Sequence, residues 1–320
     1  MNILVSSAGR RVKIVEYLKK SLENSSCKVI ATDCDSQAPA LYFADDYEIV
    51  PRIDDPKYID TLFALCKKHN IDGILSLIDP ELEILAANKK MFDKNSIKLI
   101  LSPLEVIQKT FDKYKTYQWL SDIEIPVVPT YKDYEKVFNL IEENRLSFPL
   151  VVKPAKGSAS LGIYIINGMD DLKHTLQKSN EFIVQPYYKE KEFGIDVYID
   201  MISGELVDLF IKEKVKMRSG ETDKSISVFN EEISKLVREF ISKTSFRGPI
   251  DIDCFQYRGN YYISEINPRF GGGYPHAYEG GCNFIDYTLL NLLGECNKGF
   301  SKYKYQEGTT MMKYDNIYIL

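Results

Sequence analysis

The chain has 320 residues, enough for two domains or three small ones at about 100–200 residues each. Its 44% apolar and 27% charged residues suit a globular fold, and a net charge of −5 excludes a broadly basic nucleic-acid binder while leaving room for a local basic pocket. No apolar run approaches the ~18–20 residues of a membrane helix. The six cysteines are scattered, with no C-x-x-C and no Cys/His cluster, and read as reduced thiols of a cytoplasmic protein.

Residues 2–6 form a short apolar strand. The basic pair Arg10-Arg11 comes after it, the wrong order for a signal peptide. An amphipathic helix follows, with Val12, Val15, Leu18 and Leu22 at helical spacing. Residues 29–33 make a second buried strand, 58–66 a helix, 73–78 a third strand, 81–91 a helix and 97–101 a fourth strand. Continuous apolar strands alternating with helices are the pattern of a parallel sheet covered on both faces. Ser102-Pro103 ends this unit, and helices are expected over 111–120 and 131–143.

From Phe148 the texture changes to that of an antiparallel or mixed sheet, with strands over 149–154, 162–167, 182–185, 193–199 and 205–212. A helix over 230–244 precedes a hairpin, 250–257 with 260–266, turning at Arg258-Gly259. Glycine-rich residues 271–281 and a helix over 285–293 follow. The tail from Ser301 reads as an extra strand or a lid.

Four segments carry chemistry. The loop Ser6-Ser7-Ala8-Gly9 has one glycine, short of the G-x-G-x-x-G of a dinucleotide site, although Asp33 lies at a suitable distance. Its helix N-terminus could still hold a carboxylate. Val151-Val152-Lys153-Pro154 delivers a lysine at a strand end, and small residues from Gly157 to Gly162 suit close approach to phosphates. Alone, that loop is equally a glycine-rich turn. The strand ending Gln185-Pro186-Tyr187 precedes Glu192, which by itself is equally a solvated charge. The strongest cluster is Asp253 with Glu265, Asn267 and Arg269. Glu265 and Asn267 are two apart and share a sheet face. Carboxylate and amide oxygens there suit Mg²⁺, and Arg269 suits phosphoryl oxygens.

Together, Lys153, the Gly/Ser loop, the strand before Glu192, and E-x-N-P-R at Glu265, Asn267 and Arg269 resemble the ATP-grasp superfamily in order and spacing. Ser7-Ala8-Gly9-Arg10-Arg11, Asp79-Pro80-Glu81-Leu82 and Asn267-Pro268-Arg269-Phe270-Gly271-Gly272-Gly273 are similar to its short carbamoyl-phosphate-synthase-like members, which include amino-acid ligases and a pyrrolysine-biosynthesis ligase. The resemblance implies a mixed α/β and α+β fold: an N-terminal parallel α/β domain (1–105), then a two-lobed ATP-grasp fold (106–185 and 186–320). It implies that Lys113 and Lys153 contact ATP phosphates and that Ser158, Ala159 and Ser160 close over them. The backbone of Gln185, Pro186 and Tyr187 would hold adenine and Glu192 the ribose. Asp253, Glu265 and Asn267 would hold two Mg²⁺ ions, with Mn²⁺ as an alternative. Arg218 and Arg269 would stabilise the transferred phosphoryl group. Glutamate is commoner than Gln185 at the hinge, and Asp253 is one methylene shorter than the usual Glu.

The activity so implied is an ATP-dependent carboxylate–amine ligase. It would act through an acyl phosphate, on small-molecule acid and amine substrates, without nucleic acid or membrane, and homodimers are common in the superfamily. Alternatives are carboxyphosphate chemistry, disfavoured by a single ATP-grasp half and no glutaminase signature, and a non-catalytic ATP-binding protein. A nicotinamide-dependent reductase is disfavoured by the missing glycines. Asp79 and Glu81 read equally as amino-group ligands or as a helix start, and His276 as a substrate contact or a structural residue.

Overall fold

The computed structural model describes residues 1–157, 162–300 and 303–320. The first hundred residues alternate strand and helix: β1 (Asn2–Ser6), α1 (Val12–Leu22), β2 (Val29–Asp33), β3 (Asp46–Ile49), α2 (Tyr58–Lys68), β4 (Ile71–Ser76), α3 (Asp79–Ala87), α4 (Lys89–Asp93) and β5 (Lys98–Leu99). The strands form a parallel sheet in the order β3-β2-β1-β4-β5. Ile3 and Val5 pack on one face and Leu4 on the other, all fully buried, which is why the strand is apolar without alternation.

Three local expectations are corrected here. The edge strand β3, Asp-Tyr-Glu-Ile, has no apolar run to reveal it and is half exposed. The helix expected over 81–91 breaks at Asn88, whose side-chain amide donates back to the Ile84 carbonyl (2.9 Å). The third strand stops at Ser76, so Asp79 opens α3 instead of lying just beyond a strand end.

The middle of the chain holds α5 (Leu104–Thr110), α6 (Lys113–Asp122) and α7 (Tyr134–Glu142). Asp112 caps α6 by accepting from the N–H groups of Tyr114 and Lys115, so that helix starts at Lys113. Tyr131, expected to be helical, instead exchanges both backbone hydrogen bonds with Val184 (2.8 and 2.9 Å). β6 (Leu150–Pro154), β7 (Tyr164–Ile166), α8 (Met169–Leu176) and β8 (Phe182–Pro186) follow, the strands forming a small antiparallel sheet in the order β7-β6-β8.

The last part comprises β9 (Glu192–Ile199), β10 (Leu206–Arg218), β11 (Glu221–Ser227), α9 (Glu231–Ser242), β12 (Gly248–Tyr257), β13 (Asn260–Asn267), α10 (Tyr274–Glu279), α11 (Phe284–Leu293) and β14 (Thr310–Met312). Its antiparallel sheet has the order β13-β12-β9-β10-β11-β14, the tail supplying the edge strand. One face, with Phe193, Ile195, Val197, Ile250 and Ile252, packs against Ile233, Val237 and Phe240 of α9. At one end of the other face, Phe210 joins Tyr274, Phe284, Val15 and Leu18 in a core shared with the N-terminal sheet. The rest of that face carries the charges. Among the described residues no helix is long and apolar enough to cross a membrane.

Candidate active site

The hairpin of β12 and β13 lays out the site. Asp253 lies opposite Glu265 and Asp251 opposite Asn267, so four polar side chains project from adjacent rungs of one face. On β9, Gly194 lies opposite Asp253 and Asp196 opposite Asp251; on β10, Lys212 lies opposite Gly194. Gly194 leaves room for what passes over it. A Cβ there would sit 3.2 Å from the Cε atoms of both Lys212 and Lys214.

These carboxylates would repel one another without the lysines. Lys214 Nζ bridges Glu192 (2.8 Å) and Asp253 (2.6 Å). Burial works against its charge, yet Asp253 and Glu192 more than offset it and raise the ammonium's pKa. Lys212 pairs directly with Asp196. Burial raises Glu192 and exceeds the effect of Lys214. Asp251 is pushed up to about 6 by burial, with Asp253 and Asp196 adding to the push. Lys153, at the end of β6, is pulled down by burial against the opposing attraction of Glu265.

Lys113 reaches in from the start of α6. Its Nζ donates to the Gly157 carbonyl (2.8 Å) and lies 3.7 Å from Glu265 Oε2. Arg269 donates to Asp79 Oδ2 from Nη2 (2.7 Å) and Nε (3.2 Å), and its Nη1 donates to the Phe270 carbonyl (3.0 Å). Asp79 therefore anchors Arg269 across to the N-terminal unit. Glu81 is buried and accepts from Tyr58 and Ser76 hydroxyls, a structural role. The loop after β1 is held by Asp33, whose Oδ2 accepts from Gly9 N–H (2.8 Å). After β13 the chain passes so close to Asp251 that a Cβ on Gly271 would lie 2.5 Å from its Cγ.

A cleft of about 240 Å³ thus brings together Lys113, Lys153, Glu192, Asp253, Glu265, Asn267 and Arg269. Other predicted residues lie elsewhere. Ser158, Ala159 and Ser160 are outside the described residues. Gln185 and Pro186 end β8 and Tyr187 follows it, and none of the three lines this cleft. The Gln185 side chain turns inward to donate to Thr130 Oγ1 (2.8 Å), and the Tyr187 N–H is committed to the Pro149 carbonyl (3.1 Å). Arg218 lies outside the cleft. β10 runs six residues past its expected end at Lys212 and carries Arg218 to its tip, where it pairs with Asp223 (3.0 Å) and Asp315 (2.9 Å) beside a different cavity. His276 is buried between the hydroxyls of Ser225 (2.8 Å) and Thr309 (3.2 Å), and burial lowers it to about 4, with Lys212 adding to the effect.

Lys214 and Arg11 also line the cleft and were not among the predicted site residues. Their signals were present: lysines alternating at 212, 214 and 216, and the basic pair beside Gly9. The donor set fits a hard divalent cation, because Asp253 and Glu265 offer carboxylate oxygens and Asn267 an amide oxygen. Among the described residues no three His, Cys, Asp or Glu side chains gather as a ready metal cage.

Residues 3–100 match a family model described as the PylC-like N-terminal domain, and residues 110–273 match one described as an ATP-grasp domain. The chain belongs to the ATP-grasp family. Among its relatives is the carbamoyl phosphate synthase arginine-specific large chain of Halalkalibacterium halodurans, 20% identical over 293 residues, a stretch covering 85% of this chain but 26% of the relative. Its fold is that of solved ATP-grasp structures. The biotin carboxylase domain of Hydrogenobacter thermophilus 2-oxoglutarate carboxylase superposes with a TM-score of 0.75 at 17% identity, covering 97% of this chain and 73% of that one. An L-amino acid ligase from Bacillus licheniformis gives 0.73 at 19% identity, covering 97% and 79%.

Proposed function

We propose that this ATP-grasp protein is an ATP-dependent carboxylate–amine ligase that forms an amide through an acyl phosphate and releases ADP and phosphate, on amino acids or similar small metabolites. The observation that carries the reading is the convergence of Lys113, Lys153, Lys214 and Arg269 with Glu192, Asp253, Glu265 and Asn267 in one cleft. A carboxylate is a poor electrophile because its leaving group would be oxide; phosphorylation supplies a good leaving group. The chain must then hold phosphates, align the acid and exclude water.

In this reading Lys113, Lys153 and Lys214 bind phosphate oxygens, Glu192 takes the ribose hydroxyls, and Arg269, oriented by Asp79, faces the transferring phosphoryl group. Asp253, Glu265 and Asn267 would hold Mg²⁺, which supplies charge neutralisation along the phosphates. Nucleotide binding would draw Lys214 partly away from Glu192 and Asp253. Asp253, one methylene shorter than a glutamate, would reach the ion less directly or through water. The residues 106–185 and 186–320 would act as the two lobes closing on the nucleotide.

The test is ADP and phosphate release from Mg-ATP against paired amino acids and other carboxylates, with products read by mass spectrometry. Release that needs two substrates, with a product mass equal to their sum less water, is the expected result. AMP and pyrophosphate would overturn the mechanism, and a carbamoyl phosphate product would replace the substrate assignment.

A further inference from the structure

A second cavity, about 730 Å³, adjoins the charged cleft and is larger than it. The two share Arg11, Glu221, Thr222 and Gly272. Its floor is the start of α1, and one wall is the turn of β10 and β11. The other wall is the C-terminal segment of residues 309–315, which lies outside both stretches matched by the family models. That segment is tied down at several points. β14 pairs with β11, Asp315 pairs with Arg218 (2.9 Å), and beyond them Tyr318 packs its ring against Tyr42 and Phe43 of the N-terminal unit. It therefore spans from the large sheet to the N-terminal domain along one wall of the cavity.

The charges at the shared wall do not balance. Glu221 is the one carboxylate within salt-bridge distance of Arg10 (3.3 Å), Arg11 (3.3 Å) and Lys313 (2.8 Å) among the described residues. Burial would raise Glu221, but Arg11, Lys313 and Arg10 outweigh it and hold the carboxyl down at about 2. Nearby, Arg269 pairs with Asp79 and Lys13 with Glu16, while Arg218 faces two carboxylates, Asp223 and Asp315. Three cations around one anion leave a local surplus of two positive charges beside Glu221, while Asp315 and Glu279 add carboxylates elsewhere in the lining. Arg11, facing both cavities, stands where a carboxylate would meet the nucleotide, while Arg10 and Lys313 face only the second cavity. Away from this charged end, Val12, Tyr17, Pro275 and Met311 give the wall an apolar stretch. A volume near 700 Å³ is within the ordinary range for small-molecule sites.

Resting on the ligase reading, we propose that this cavity is the acid-substrate site and that the C-terminal segment sets its specificity. It selects an acid with a second anionic group, a dicarboxylate or an acidic amino acid, held by Arg10 and Lys313 while Arg11 guides the reacting carboxylate. Lys313, supplied by the segment, is a specificity residue and takes no part in phosphoryl transfer.

The test uses the full chain with Mg-ADP bound. Succinate, glutarate, L-aspartate and L-glutamate are each compared with the corresponding monoamide (succinamate, glutaramate, L-asparagine, L-glutamine) by thermal stabilisation and calorimetry. At least one diacid is expected to bind ten times or more tighter than its monoamide, and Lys313→Gln to shrink that preference to within about twofold. Glu221→Gln, which removes the competing anion, is expected to keep the preference. The proposal fails if no diacid exceeds its monoamide, or if the preference survives Lys313→Gln. Mg-ADP binding, read first on each variant, reports on the fold and on the neighbouring cleft. If wild-type protein binds no Mg-ADP, the ligase reading falls; if it binds Mg-ADP but shows no diacid preference, only the specificity proposal falls.

Discussion

The two large sheets handle burial in opposite ways. The parallel N-terminal sheet is apolar on both faces, and Ile3, Leu4, Val5, Val29, Ile30 and Ala31 are at most 1% exposed. The antiparallel sheet is apolar throughout its α9 face but only at one end of the other, around Tyr198 and Phe210. Its other face buries Asp196 and Lys212 completely and crowds Glu192, Lys214, Asp251, Asp253 and Glu265 beside them. Desolvating ions costs several kcal/mol each, so such a face is a poor route to stability alone. The first sheet stabilises the molecule, and the second holds charges in place for a ligand whose charges complement theirs.

That contrast can be broken by mutation. Lys214→Met leaves Glu192 and Asp253 facing each other unpaired, and should lower unfolding free energy by about 3–5 kcal/mol in denaturant titrations. Adding Glu192→Gln should recover part of the loss, since the two sites share one ion pair. No recovery would show that the lysine's stem, and not its charge, supports the sheet.

Leu4→Ala, in the apolar sheet, should cost about 2–5 kcal/mol while leaving kcat/KM of the folded enzyme unchanged. Glu265→Gln should do the reverse, lowering kcat by about 10²–10³-fold with a thermal midpoint close to wild type. If Leu4→Ala altered kcat as strongly as Glu265→Gln, the division of labour between the sheets would be wrong.

The same contrast explains what the sequence discloses. Strands 2–6 and 29–33 are legible because both faces are apolar, and the β12–β13 hairpin is legible because Asp253, Glu265 and Asn267 alternate with apolar residues. The continuation of β10 is not. Lys-Glu-Lys-Val-Lys-Met-Arg reads as solvated surface, and only partners distant in sequence, Glu192 and Asp253, turn Lys214 inward. The tail shows no period because β14 is three residues on a sheet edge, and its contacts, Glu221 and Arg218, lie about 90 or more residues away. The alternation at 212, 214 and 216 marks a strand face, but long-range charge pairing has no local signature, so the partners of Lys214 and Lys313 emerge only once the strands are in register.

The smallest expected effect concerns Gln185. Its side chain turns away from the cleft to Thr130, with both groups buried. Gln185→Ala should therefore leave the KM for ATP within about twofold, while loss of the amide's hydrogen bond to Thr130, whose hydroxyl keeps its bond to the Val128 carbonyl (2.9 Å), lowers stability by about 0.5–1.5 kcal/mol. Steady-state kinetics at varied ATP, paired with thermal unfolding, separates the two readouts. A large rise in KM would mean that the amide itself reads the base. The hinge would then belong with the charged face as a ligand-binding element, and its resemblance to an ordinary packed strand would be superficial.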